Sequence, residues 1–198
     1  MKNVNETQLN IINKIYEDTI LVFDMDGTLV DTDFANFLSY KKAILSIIQT
    51  NKDILFNPNE RFNRTTLKRI ESNLTEIEYQ KIIQQKEENY KEYLSQTQLN
   101  KSVVNILIQF FKTNKTVLVT NCREDRALIT LDYHNLTDKF SNLLFRQISD
   151  DEKRTNKYIN AVSILNLSAN KVVVFENEKQ EIEDAILAGI PIENILII

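Results

Sequence analysis

The chain has 198 residues, and 24 Lys and Arg against 28 Asp and Glu leave a formal net charge of −4, which excludes a polycationic nucleic-acid sheath. With 42% apolar and 26% charged residues the composition is that of a globular protein, neither disordered nor membrane-spanning, with room for one domain plus an insertion. Two glycines and two prolines stand where average usage would give roughly fourteen and ten, so helices should dominate, and Gly27 and Gly189 should mark backbone positions with few alternatives.

The first eighteen residues, MKNVNETQLNIINKIYED, lack the apolar core of a secretory signal, and nowhere do about 18 uninterrupted apolar residues occur. Cys122 is the one cysteine and His134 the one histidine, so an internal disulfide and a Cys/His zinc site are both excluded. A cytoplasmic protein with neither nucleic acid nor membrane as partner is expected.

The first apolar run, Thr19 to Phe23, reads as a buried strand. It leads into LVFDMDGTLV, residues 21 to 30, where Asp24 and Asp26 stand two residues apart before Gly27 and Thr28. Ligands of open parallel sheets bind beyond the carboxyl ends of the strands, which is where these two acids would lie. A carboxylate there can attack phosphorus and split hydrolysis into two displacements. A second acid can protonate the leaving oxygen and then activate water. Gly27 lets the chain turn away, and amide groups of that turn, Met25 among them, can cradle phosphate oxygens.

From about Thr32 to Asn114 no convincing strand occurs, and helical stripes replace the strand rhythm. Phe34, Phe37, Leu38, Ile44, Leu45 and Ile48 form one stripe; Tyr79, Ile82, Ile83, Tyr90, Tyr93 and Leu94 form a second, opened by a capping box of Thr75 and Glu78. These two read as an inserted subdomain. Between them Asn59, Arg61, Arg64, Lys68 and Arg69 make a basic stretch, whose commonest meaning is a solvated helix face and whose functional meaning is an anion contact. A third stripe, Val103, Val104, Leu107, Ile108 and Phe111, leads back toward the sheet.

Further strands are expected at Thr116 to Thr120, Asn142 to Phe145, Lys171 to Phe175 and Asn194 to Ile198. The helical patterns between them run through Ala127, Leu128 and Leu131, then Ile159, Val162 and Leu165, then Ile182, Ala185 and Ile186, closed by Gly189 in a left-handed stop with Pro191 beyond it. Such alternation implies a parallel sheet with right-handed crossovers. At the end of the second strand, the Thr120 hydroxyl and the Asn121 amide can hydrogen-bond a transferring phosphoryl group. Cys122 beside them is rejected as a phosphatase nucleophile, because that chemistry needs an Arg six positions on and position 128 is Leu.

The Asp24-Met25-Asp26-Gly27-Thr28 run resembles the signature of the haloacid dehalogenase superfamily, and further elements follow in that family's order over nearly the whole chain. The resemblance implies a three-layer Rossmann-like α/β core over residues 1–31 and 100–198, with a helical cap over 32–99 that closes over the pocket. It implies Asp24 as nucleophile, Asp26 as acid/base, and Mg2+ held by the Asp24 side chain and the Asp26 carbonyl. It also calls for a lysine that steadies the phosphate charge. Lys153 lies 24 residues before Asn177 and Lys157 lies 20 before it; the first gap is nearer the family's habit, while Lys157 starts a helix and can reach.

The last element, VVVFENEKQEIEDAILAGIP, resembles the family's acidic loop with one departure: Asn177 stands at the first acid and Glu181 at the second, flanked by Glu176 and Glu178. Weaker magnesium binding at Asp24, Asp26, Asn177 and Glu181 is the expectation. The family's activity implies a magnesium-dependent phosphatase acting on a small phosphorylated metabolite. A phosphomutase with the same Asp pair, or a noncatalytic member that binds phosphate or a partner, is the alternative.

Overall fold

The computed structural model describes residues 12–50, 53–146 and 155–198. Among these the chain divides into two compact units, one formed by Met1–Leu29 with Leu99–Ile198 and the other by Val30–Gln98.

The first unit is built on a parallel sheet of five strands among the described residues: β1 (Ile20–Phe23), β4 (Lys115–Val119), β5 (Asn142–Leu144), β6 (Val172–Glu176) and β7 (Ile195–Ile197). Their spatial order is β5-β4-β1-β6-β7. Phe23 lies level with Leu118 on one side and Phe175 on the other, so β1 is the central strand, and the strand order reverses around it. Every one of the strands expected from the apolar runs is present. The central strands are near-continuous in β-branched and aliphatic residues because a parallel sheet is buried on both faces.

Helices connect these strands: α4 (Lys101–Phe110), α5 (Glu124–Tyr133), α6 (Lys157–Ile164) and α7 (Lys179–Leu187). One sheet face carries Val22, Val117, Val119, Val172, Val174 and Ile195, packed against Tyr158 and Ala161 of α6 and Ile182 and Ala185 of α7. The alternate residues Leu21, Phe23, Leu118, Val173 and Phe175 are equally buried, with the Phe23 and Phe175 rings stacked at 4.5 Å.

Gly189 does what its scarcity predicts. It sits at φ +86°, and the amides of Gly189 and Ile190 donate to the carbonyls of Ile186 and Ala185, the paired bonds that close a helix in a left-handed stop. Helices α5 and α6 end in the same way with asparagine instead. Asn135 has φ +57° and Asn166 φ +48°, with Leu136 donating to Leu131 and Leu167 to Val162. Asn is the side chain that tolerates this region best after glycine, and the chain has almost no glycine.

The second unit is helical: α1 (Asp33–Ile47), α2 (Arg64–Ile70), α3 (Glu76–Tyr90) and a 3-10 turn at Lys91–Gln96. Phe37, Tyr40, Ala43, Ile44, Ile54, Phe62, Leu67, Tyr79, Ile82 and Ile83 form its core. The Thr75–Glu78 capping box opens α3, with both reciprocal bonds made. Two expectations are corrected here. Phe34 and Leu45 are 38% and 55% exposed, because α1 turns inward a stripe that includes Asn36, Ser39 and Tyr40 instead. Two short strands, β2 (Val30–Asp31) and β3 (Gln98–Leu99), pair where no strand was expected; two residues are too few to leave a periodic signal. The basic stretch is largely engaged within its own unit: Arg61 pairs with Asp33 at 3.3 Å, Arg69 with Glu60, and Lys68 lies 4.6 Å from the Tyr79 ring centre.

No helix among the described residues is long and apolar enough to cross a membrane.

Candidate active site

The carboxyl ends of β1, β4 and β6 gather the polar residues of the first unit. The Asp24 amide donates to the Phe175 carbonyl at 3.1 Å, extending the β1–β6 pairing by one residue and carrying Asp24 just past the sheet edge. The chain then turns: the Thr28 and Leu29 amides both donate to the Met25 carbonyl, and Gly27 takes φ +85°. Asn177 is pressed against this turn. A Cβ on Gly27 would lie 2.4 Å from Asn177 Nδ2, and the Thr28 hydroxyl donates to Asn177 Oδ1 at 3.1 Å. The backbone angle requires the glycine, and a Cβ there would also displace the Asn177 amide.

Lys157, the first residue of α6, joins the carboxylates. Its ammonium donates to Asp24 Oδ1 at 2.6 Å and to Glu176 Oε2 at 2.9 Å, and lies 3.5 Å from Glu181 Oε2. Lys157, Asp24, Glu176 and Glu181 are all at most 7% exposed. Burial raises the Asp24 carboxyl to about 7, against the opposing pull of Lys157, and the nearby Glu176 adds to the rise. For Lys157 burial works against the charge, but Asp24, Glu176 and Glu181 together outweigh it and hold the ammonium above the ordinary lysine range. A bond of 2.6 Å is the length of a charge-assisted pair, so the ammonium–carboxylate form is the one the geometry supports. Lys153, the lysine that spacing favoured, lies outside the described residues.

Sequence reasoning passed over three residues. Glu176 was treated as a flanking acid, yet it is fully buried and accepts from Lys157, from the Tyr158 hydroxyl at 2.6 Å, and from the amides of Asn177 and Glu178. Tyr158 is the second: burial first, then Glu176, raises its hydroxyl well above the usual tyrosine range, so it remains a donor. The third is Arg126, whose Nη2 donates to Asp26 Oδ2 at 2.8 Å. A carboxylate directly before Asn177 and an aromatic beside Lys157 were visible signals. Nothing in the sequence paired Arg126 with Asp26, 100 positions away.

The second strand end behaves as follows. Thr120 is 2% exposed, and its Oγ1 accepts the Cys122 amide at 3.1 Å, which keeps the hydroxyl hydrogen available to a ligand. Asn121 Nδ2 donates to Glu181 Oε1 at 2.9 Å, tying the β4 loop to α7. Asp24, Lys157, Glu176, Glu181 and Asn121 thus form one hydrogen-bonded and ion-paired set. Asp26 belongs with Arg126, and Asn177 with Gly27 and Thr28.

Magnesium prefers hard oxygen donors, usually keeps several waters, and binds through one or two carboxylates rather than an all-protein cage. Among the described residues no three His, Cys, Asp or Glu side chains are grouped so as to hold a metal ion by themselves. Asp24 and Glu181, brought together at Lys157, and the amide oxygen of Asn177, which accepts the Thr28 hydroxyl, are hard oxygen donors of the kind such an ion takes. The residues present fit magnesium in that sense.

The chain matches a family model described as haloacid dehalogenase-like hydrolase over residues 21–195. No curated protein matches it. Solved structures share its fold: a predicted phosphoglycolate phosphatase from Haemophilus somnus aligns at 21% identity and TM-score 0.71, covering 89% of this chain and 84% of that one. CbbY from Rhodobacter sphaeroides in complex with phosphate aligns at 13% identity and TM-score 0.71, covering 87% and 84%. A β-phosphoglucomutase candidate from Thermotoga maritima aligns at 25% identity and TM-score 0.62, covering 89% and 83%. With its five parallel strands in the β5-β4-β1-β6-β7 order and Asp24 at the end of the central one, the chain belongs to the haloacid dehalogenase-like hydrolases.

Proposed function

We propose that this protein is a magnesium-dependent phosphatase that hydrolyses a small phosphorylated metabolite through a phosphorylated Asp24. The observation that carries the reading is the buried Asp24–Lys157 pair at the carboxyl end of β1, a carboxylate held in one orientation by a fixed cation. The phosphate complex of CbbY and the phosphatase description of the Haemophilus neighbour support the substrate class.

An Asp24 oxygen attacks phosphorus while the bond from phosphorus to the substrate's ester oxygen breaks, and Asp26 gives its proton to that oxygen. Water then attacks the phospho-aspartate; its proton passes to Asp26 and the Asp24–phosphorus bond breaks. Lys157 offsets the repulsion between the incoming carboxylate and the phosphoryl oxygens, helped by the Thr120 hydroxyl and by the amides of Met25 and Asn121. Glu176, bonded by Tyr158 and two amides, fixes the position of Lys157. Asp24, the Asp26 carbonyl, Asn177 and Glu181 would hold magnesium, which when bound supplies charge stabilisation of the phosphoryl oxygens. Asn177 brings an oxygen but no charge, so affinity below that of an aspartate at this position follows. We infer a cytoplasmic setting, supported by a composition with one cysteine.

Phosphate release from a panel of sugar phosphates, nucleotides and phosphorylated carboxylic acids, with and without magnesium, tests this. Turnover that is lost in Asp24→Asn and without magnesium is the expected result; wild-type rates in that variant would overturn it. Asn177→Asp should tighten magnesium, read by calorimetric titration. The neighbour described as a phosphoglucomutase candidate motivates a second reading, in which the phosphoryl group returns to the substrate. An isomerised phosphoester in place of free phosphate would decide for it.

A further inference from the structure

We infer that Arg126 is a positioning residue that sets the carboxylate of Asp26, and that Cys122 in turn anchors Arg126. This rests on the reading of Asp26 as the proton carrier. The Arg126 side chain, 11% exposed, donates through Nη2 to Asp26 Oδ2 at 2.8 Å, and the Asp26 side chain is 8% exposed. Its Nε donates to Cys122 Sγ at 2.9 Å. Two bonds from different nitrogens of one planar group fix both the position and the tilt of the guanidinium, which a lysine ammonium cannot do.

The elements around this contact are themselves hydrogen-bonded. Asp26 lies in the turn that begins at the Met25 carbonyl; Arg126 lies in the first turn of α5, where its own carbonyl accepts the Thr130 hydroxyl at 2.7 Å. Cys122 is 2% exposed and its amide is held by Thr120 Oγ1. The contact therefore joins the acid of the first strand end to the phosphoryl-binding residue of the second: Asp26, Arg126, Cys122, Thr120. A proton carrier must lie within hydrogen-bond reach of the oxygen it serves. A misplacement of about 1 Å can cost about 10²-fold.

Arg126→Met keeps the stem and removes the fork. Its kcat should fall about 10- to 100-fold with KM unchanged within about twofold, scaled to that geometric cost. In an Asp26→Asn background the same substitution should change the residual rate by less than about twofold, because a residue acting through another has no effect once that other is gone. Arg126→Lys should recover part of the loss, and Cys122→Ala should show a smaller fall of the same kind. Unfolding by urea, run on the same four-member cycle, reads the Asp26–Arg126 coupling without any turnover and shows whether each variant folds.

An equal loss in both backgrounds, or a rise in KM as the main effect, would overturn the inference while leaving the phosphatase reading intact. Coupling in the unfolding cycle with no turnover by the wild type would overturn the phosphatase reading itself, and the catalytic part of this inference with it.

Discussion

Gly27 carries two independent constraints, a φ of +85° and Asn177 Nδ2 at 2.4 Å from where a Cβ would stand. Gly27→Ala must therefore both strain the backbone and displace the Asn177 amide. A left-handed conformation alone costs an alanine about 1 to 2 kcal/mol, so the urea midpoint should fall by about what that figure implies. A midpoint equal to the wild type would mean that the turn does not require the left-handed conformation at this position. Lys157 is the opposite case, a residue whose value lies in its charge. Lys157→Met leaves Asp24, Glu176 and Glu181 facing one another without a cation. Removing one partner of a buried pair typically costs about 3 to 5 kcal/mol. The variant should lose phosphate release and unfold at lower urea; retention of both would remove Lys157 from the site.

Helix ends decide much of the local architecture, because glycine is so scarce. The left-handed stops of α5 and α6 fall on Asn135 and Asn166. Asparagine tolerates that conformation and glycine prefers it, so Asn135→Gly or Asn166→Gly should leave thermal stability equal or higher. The alanine versions should lower it by about 1 kcal/mol or more. Differential scanning calorimetry of the four variants checks the order. Elements of this kind were legible in the sequence. The capping box, the strand runs and the Gly189 stop are local statements, written in residues a few positions apart. The two-residue strands β2 and β3 were not, since pairing between them depends on a partner some 67 positions away. The exposure of Phe34 and Leu45 was missed for a related reason: an apolar stripe on a helix does not say which of its residues meet a neighbour.

For the whole molecule, the site imposes a pH dependence on stability. The Asp24 carboxyl is raised to about 7 in the folded state from an ordinary 3.8, so the folded protein binds the proton more tightly than the unfolded chain. Its contribution is fully present below about 4 and is lost as pH rises through about 7. Asp24→Asn, which cannot ionise, should therefore be less sensitive to pH than the wild type in metal-free buffer. The difference in melting temperature between Asp24→Asn and the wild type should shift in the variant's favour as pH rises from 5 to 8. A constant difference across that range would show that Asp24 ionises without cost.

The sequence by itself determined the parallel sheet, the helical insertion and the Asp24–Asp26 turn at a strand end, because apolar periodicity, glycine scarcity and a five-residue signature are all short-range patterns. Which cation meets which acid was decided only by tertiary structure. Lys157 reaches Asp24 across 133 positions and Arg126 reaches Asp26 across 100. Glu176 becomes the anchor of Lys157 because the end of β6 lies beside the end of β1. Charge pairing depends on distances of a few ångströms, and those distances exist only once the sheet has assembled.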